Sequence, residues 1–189
     1  MMLKKITILL VITTLFSCSN GFSEKEKQEY TIKGKEIAQA SFEALSGELM
    51  EQMKLGGPAQ AVPFCKEQAV PILNGIASKY NVTIVRSSDQ LRSCKIEPTE
   101  RELDIINFYK KLVDNNEELK PTIEIDALNK KHYYAPIIVK ANCLVCHGKV
   151  NETMSVKTDS IIKLTYPFDI ATGYSEGDVR GVWSITFNK

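Results

Sequence analysis

Apolar residues at spacings of three and four run through the first third of the chain. Ala38, Phe42, Leu45, Leu49 and Met53 keep that rhythm, which draws one apolar stripe along a helix from Glu26 to about Leu55. Gly56-Gly57-Pro58 ends it, because glycine suits a helix C-terminus and proline has no amide proton to continue the ladder. A second helix is predicted from Pro58 to about Lys79. Pro63 and Pro71 fall inside it, so a kink or two short pieces is expected. The period then changes. Val82-Thr83-Ile84-Val85 is a β-branched run and predicts a strand. Ser87 to Pro98 has turn residues and no period, as a loop does. Thr99 and Glu102 have the spacing of a capping box, and the helix they start carries Leu103, Ile106, Phe108, Tyr109, Leu112 and Val113 to about Leu119. Pro121–Ile125 and Tyr133–Val139 predict strands. Ser160–Tyr166 predicts a short helix before Pro167. Val179–Phe187 is a last strand, with Val182, Ser184 and Thr186 alternating against Gly181, Trp183, Ile185 and Phe187. Helices come early and strands late, which favours an α+β fold over a βαβ sheet.

The first residues break this pattern. Lys4 and Lys5 precede an apolar run, Ile6–Phe16, which is too short for a normal membrane span and suits a secretory leader. Leu15-Phe16-Ser17-Cys18 resembles a bacterial lipobox, in which cleavage precedes the cysteine and its thiol is lipidated. The expected organisation is a lipoprotein signal over 1–17, a polar tether over 18–27 with Cys18 lipidated, and a single domain over 28–189. This places the mature chain on the periplasmic side of a bacterial membrane, in an oxidising compartment.

Composition narrows the function. The 189 residues are 43% apolar and 25% charged, which is ordinary globular usage. Twenty-four basic and 23 acidic residues leave no electrostatic footprint for nucleic acid. The five cysteines leave at least one outside any intramolecular disulfide, and there are only two histidines.

Cys143-Leu144-Val145-Cys146-His147 carries the chemistry. Two thiols on one turn can each add to a vinyl group of a haem, and the adjacent imidazole can bind the iron. Bacterial haem c attachment happens outside the cytoplasm, in agreement with the leader. A thioredoxin-like redox pair would want a preceding βαβ pattern, and a zinc site would want a fourth ligand; neither is in the sequence. The residues open to the other side of the iron are His132, Met50, Met53, Met154, Cys65 and Cys94. Spacing does not choose among them. His132 would give a bis-histidine centre, Met154 would raise the potential, and a Cys65 thiolate would lower it. Cys65 also reads as a buried small hydrophobe or as half of a Cys65–Cys94 disulfide.

Tyr134-Ala-Pro136-Ile137, Cys143–Gly148, Tyr166-Pro167-Phe-Asp169-Ile-Ala171-Thr-Gly173-Tyr174 and Gly177-Asp178-Val-Arg180-Gly181 together resemble the Tll0287-like c-type haem proteins. Upstream, Ala61-Val62-Pro63-Phe64-Cys65 followed by Ala69-Val70-Pro71 is similar to the family's cysteine helix. Arg86, Arg92, Pro98 and Glu102 resemble its arginine-rich loop. The resemblance spans most of residues 30–187. Two features depart from it: Arg92 is followed by Ser93-Cys94 rather than asparagine-proline, and Ile96 replaces an asparagine. The resemblance implies a PAS-like antiparallel sheet surrounded by helices, with long N-terminal helices and one covalently bound haem. It also implies His147 as proximal and Cys65 as distal ligand; the departure at Ser93-Cys94 leaves Cys94 to compete with Cys65.

Other residues have two readings each. Arg86 and Arg92 can meet haem propionates or fix a loop. Tyr133, Tyr134 and Tyr166 can wall a haem or fill a core. Asp178 and Arg180 read as a structural ion pair, and His132 as a strand-start residue. The function expected is a haem redox or small-ligand sensor, served by a separate signalling partner, with a diatomic gas as the candidate ligand. The alternative is a membrane-tethered electron carrier with a redox protein partner. Peroxidase chemistry would need an acid–base residue over an open iron site, and His132 is the one histidine left for it, so the chain is expected not to be an enzyme.

Overall fold

The structure, a computed structural model, describes residues 22–93 and 96–188. Cys18 and the leader before it, and Cys94, lie outside the described residues.

The chain enters α1 (Glu24–Tyr80) through a full capping box between Ser23 and Glu26. Residues 24–27, expected to be tether, are therefore the helix's first turn. A straight helix of this length would run about 85 Å, with Glu36 and Tyr80 about 66 Å apart. Instead, Tyr80 Oη donates to Glu36 Oε1 at 3.0 Å, and Gln60 Nε2 to Gln52 Oε1 at 3.1 Å. Thus α1 is a hairpin of two arms, 24–55 and 58–80. The turn is Gly56 and Gly57, and Gly57 has φ 63 and ψ −155, a conformation reserved in practice for glycine. The sequence placed this break correctly. It also expected interruptions at Pro63 and Pro71, and the second arm stays helical through both. Both prolines are exposed, so the carbonyls they leave without an amide partner can turn to water.

Four antiparallel strands form one sheet in the order β1-β4-β3-β2: β1 (Val82–Ser87), β2 (Thr122–Ile125), β3 (Lys131–Ile138) and β4 (Val179–Phe187). Helix α2 (Glu100–Asp114) starts on the predicted capping box of Thr99 and Glu102. It ends five residues earlier than expected, where Asn116 turns left-handed at φ 56 and Glu117 N–H donates to Leu112 O at 2.8 Å.

Strand alternation sorts the core onto two faces. Val82, Tyr133, Trp183 and Ile185 point to the α1 hairpin and meet Ile37, Ala38 and Leu73. Tyr134 and Val182 point the other way and meet Ile105, Ile106 and Tyr109 of α2. Phe42 and Phe108, expected in apolar stripes, are instead exposed. The face of α1 that packs is 34, 37, 38 and 41, one step round from the predicted stripe. Gly34 lies there flat on the Tyr133 ring; a Cβ would sit 2.3 Å from it. After β3 come a single 3-10 turn (Ala141–Cys143), α3 (Leu144–His147) and α4 (Val156–Thr165). Val62 of α1, Met154 and Ile162 of α4 form a third, smaller core, against which Cys146 and Tyr166 pack. The expected α+β arrangement, an antiparallel sheet surrounded by helices, is what the chain adopts.

Candidate functional site

The CxxCH segment is a short helical turn pinned at both ends. Cys143 is the N-cap of α3, and Cys146 lies three residues on, on the same side of one turn. Gly148 closes it. A Cβ there would meet Thr153 Oγ1 at 2.0 Å and Leu144 O at 2.6 Å, so only glycine lets the following turn fold back. Behind the turn, Met154 is 1% exposed and packs with Val62 and Ile162. Its side chain fills that small core. His132 is also committed elsewhere: Nε2 faces Asp126 Oδ2 at 3.0 Å and Nδ1 faces Thr186 Oγ1 at 3.1 Å. It is the second residue of β3, as the strand-start reading had it. Met50 and Met53 lie on the first arm of α1, near the hairpin turn.

His147 is held with one nitrogen occupied. Its Nδ1 lies 2.7 Å from Ala171 O. A carbonyl only accepts, so Nδ1 carries the proton and Nε2 keeps its lone pair, the tautomer a metal ligand needs. Two guanidiniums stand by the same nitrogen, Arg92 Nη2 at 3.2 Å and Arg180 Nε at 3.4 Å. With Nδ1 already a donor, they act on the ring through charge. Burial first, then these two charges, push the imidazole pKa down to about 3, which keeps the ring neutral. The backbone on either side is fixed as well: Tyr174 N–H donates to His147 O at 3.0 Å and Gly173 N–H to Gly148 O at 3.0 Å.

Arg92 ties these parts together. It donates to Asp169 Oδ1 at 3.2 Å, Cys146 O at 2.5 Å and Ala171 O at 3.0 Å. Its side chain is 16% exposed and that of Asp169 2%. Asp169 Oδ1 also accepts from Ala171 N–H at 3.1 Å. Of the two readings of Arg92, the contacts of loop fixing are present: Nε is engaged by Asp169, and Nη2 by the carbonyls of Cys146 and Ala171 that frame His147. The reading of Asp178 with Arg180 as an ion pair fails. Asp178 caps Ser175 N–H, whereas Arg180 turns to His147, Ser88 and Tyr174.

Cys65 lies on the second arm of α1, a free thiol next to the Val62 core. Lys66 anchors this part of the arm to α4 by donating to Thr165 O at 2.8 Å, with its ammonium 5.8 Å from the Tyr166 ring centroid. Burial pushes the Cys65 thiol up, and Arg86 and Arg92 pull it down. The Cys146 thiol is also raised, first by burial and in lesser part by Cys65. Hence Cys65, Cys146, Arg86 and Arg92 share one electrostatic neighbourhood. Tyr166 belongs to it, its phenol pushed up to about 12 by burial and then by Cys65.

Arg86 comes from β1, paired with Trp183, on the face of the sheet that looks to α1. The residue is open to solvent, yet protein surrounds the guanidinium closely enough for desolvation to lower its pKa. Tyr134 lies on the opposite face with α2, its ring stacked on His132 at 6.2 Å between centroids. Strand alternation turns it away from the face that carries Arg86. Tyr133 faces α1 but is covered by Gly34.

The residues fit a haem by charge as well as by ligand chemistry. Arg86, Arg92 and Arg180 act on Cys65 and His147, and among the described residues Asp169 is the carboxylate paired with them. Partly buried cations without counter-ions are costly. A haem carries two propionates and a thiolate ligand adds a further negative charge, so this occupant would balance the cations on the Cys65 side, Arg86 first. No group of three or more His, Cys, Asp or Glu side chains among the described residues converges as a bare-ion site would.

A family model for Tll0287-like proteins matches residues 10–188. The chain belongs to the Tll0287-like family. Among solved structures, it is similar to the cyanobacterial heme-protein Tll0287, with 23% identity over 89% of this chain and 98% of that one, at a TM-score of 0.59. No functionally curated protein matches it. As a Tll0287-like chain, it shares that fold over 89% of its length. Ala171, Asp169, Tyr174 and Arg180 were in the strings that carried the resemblance, but their roles were not visible there. A carbonyl acceptor and a bulged arginine leave no mark in residue type.

Proposed function

We propose that the chain is an exported, lipid-anchored c-type haem protein with one haem, joined through Cys143 and Cys146 and ligated by His147 and Cys65. When bound, haem supplies a one-electron couple and a site for small ligands. The observation that carries the reading is the meeting of the Cys65 arm with the CxxCH turn: Cys146 and Tyr166 pack on the core that Val62 of that arm helps to form, and Arg86 and Arg92 act on the Cys65 thiol. Arg86, whose side chain makes no hydrogen bond among the described residues, is the propionate partner in this reading. Tyr166 flanks the ring.

The two axial sides differ in restraint. His147 is fixed by Ala171 and by backbone bonds on both sides. Cys65 sits on a helical arm, and its sulfur makes no hydrogen bond among the described residues. Ligand release therefore falls to Cys65, and a diatomic gas would enter on that side. This favours redox or small-ligand sensing, passed to a separate signalling partner at the membrane surface. A tethered electron carrier is the second reading, favoured by the rigid His147 side, since small rearrangement suits electron exchange. With His132 engaged by Asp126 and Thr186, no histidine is left to act on a bound peroxide, so the reading includes no enzymatic activity.

The test is the ferric protein, matured with haem-attachment machinery, as wild type and Cys65→Ala. Absorption and electron paramagnetic resonance spectra should show a low-spin thiolate signature that the variant loses. An unchanged spectrum would remove Cys65 as ligand and make the electron carrier the better reading.

A further inference from the structure

Arg180 is placed by an irregularity in its strand. Ile137 pairs with Gly181 and Ile138 with Val179, which leaves Arg180 as the extra residue of a β-bulge. Gly181 makes the bulge possible: its φ is 154, and a Cβ would meet Ser87 O at 2.1 Å. Regular alternation would send residue 180 to the α2 face with Val182. The bulge aims it at the end of the sheet instead. There Nε reaches 3.4 Å from His147 Nδ1, Nη1 donates to Ser88 Oγ, and the guanidinium carbon lies 5.4 Å from the Tyr174 ring centroid. Ser88 Oγ donates back to Arg180 O at 2.8 Å, which locks the arrangement. Tyr174 completes it, buried and edge-on to the His147 ring at 6.2 Å.

The two guanidiniums beside His147 are not equivalent. Arg92 is neutralised by Asp169 at 3.2 Å. Arg180 touches a hydroxyl and an aromatic face, and no carboxylate among the described residues lies within ion-pair distance of it. The net charge behind the imidazole is therefore Arg180's. His147 Nδ1 meets a neutral carbonyl rather than a carboxylate, so nothing there adds negative charge to oppose it.

We infer that Arg180 sets the reduction potential of the haem by holding an unneutralised positive charge behind His147. The inference rests on His147 being the proximal ligand. A cation near the iron favours the ferrous state, which carries one positive charge less than the ferric. A cation beside Nδ1 also restrains the imidazole from donating as an imidazolate would. Both effects raise the potential. A Cys65 thiolate lowers it, so the two sides of the iron are set against each other.

The experiment is a spectroelectrochemical titration of the matured holoprotein as wild type, Arg180→Gln and Arg180→Lys, with electron paramagnetic resonance on each ferric sample. Glutamine can still bond Ser88 but carries no charge; lysine keeps the charge without the planar fork. The expected result is a shift to more negative potential in Arg180→Gln, a potential near wild type in Arg180→Lys, and unchanged ligation in both. No shift in Arg180→Gln, or equal shifts in the two variants, would overturn the inference and reduce Arg180 to a packing role. The wild-type spectrum tests the ligation reading separately. A His/thiolate signature together with an unmoved Arg180→Gln potential would sink this inference and leave that reading standing.

Discussion

At the scale of single residues, the candidate site depends on one buried ion pair. Asp169 holds the Arg92 guanidinium, and Arg92 holds the carbonyls of Cys146 and Ala171. The second of these carbonyls fixes the proton on His147 Nδ1. Replacing Asp169 leaves a partly buried guanidinium uncompensated, which costs about 3–5 kcal/mol in comparable buried pairs. Asp169→Ala should lower the urea midpoint of unfolding by a corresponding amount and loosen the His147 tautomer. Stability equal to wild type would show that Arg92 finds its support elsewhere. Such residues divide cleanly by how legible they are. Cys143, Cys146 and His147 are contiguous, so their chemistry shows in the letters. Cys65 stood among several candidates until resemblance singled it out. Ala171 acts through its backbone and Arg180 through a bulge, and neither a carbonyl's direction nor a strand irregularity is encoded in residue type.

At the scale of elements, the α1 hairpin decides where Cys65 goes. Gly56 and Gly57 reverse the helix, so the second arm returns along the first and crosses to α4, where Lys66 and Val62 seat it. The break between the arms was readable, because glycine suits a helix C-terminus and proline cannot continue the ladder, but the reversal itself was not. The effect of Pro63 and Pro71 was misread, because helix propensity ignores the packing of the whole arm on the sheet and α4. Propensity costs of this size are routinely overridden by tertiary contacts. The hairpin in turn needs a close approach of its first arm to β3. With a Cβ at Gly34 only 2.3 Å from the Tyr133 ring, the arm must move or the ring must tilt. Gly34→Ala should therefore destabilise the fold by roughly 1–3 kcal/mol, as overpacking does. A thermal melt reads this directly. A gain in stability, as alanine gives in an open helix, would mean that the contact relaxes without strain.

At the scale of the whole molecule, the near-neutral chain keeps its charges apart. Arginines collect at the candidate site, and the cores on the two faces of the sheet are closed largely by aromatic side chains whose phenols are shielded. Tyr109, Tyr133 and Tyr134 fill those faces, and burial raises all three phenols above the ordinary value of 10. For Tyr133, 1% exposed, the pKa is pushed up to about 12. The unfolded chain releases this proton near pH 10, whereas the folded chain keeps it to about 12. Its stabilising share is therefore complete below pH 10 and is lost as pH rises towards 12. A rise in pKa from 10 to about 12 corresponds to on the order of 3 kcal/mol for this group, at roughly 1.4 kcal/mol for each tenfold change in proton affinity. A series of urea unfolding curves from about pH 9 to about pH 12 should show the midpoint falling steadily above 10, as the linkage between proton release and unfolding requires. In Tyr133→Phe the fall should be shallower, because phenylalanine keeps the ring under Gly34 but has no proton to lose. Parallel slopes in the two proteins would assign the alkaline loss to Tyr109 and Tyr134 on the α2 face, and would mean that the Tyr133 phenol reaches water through the hairpin.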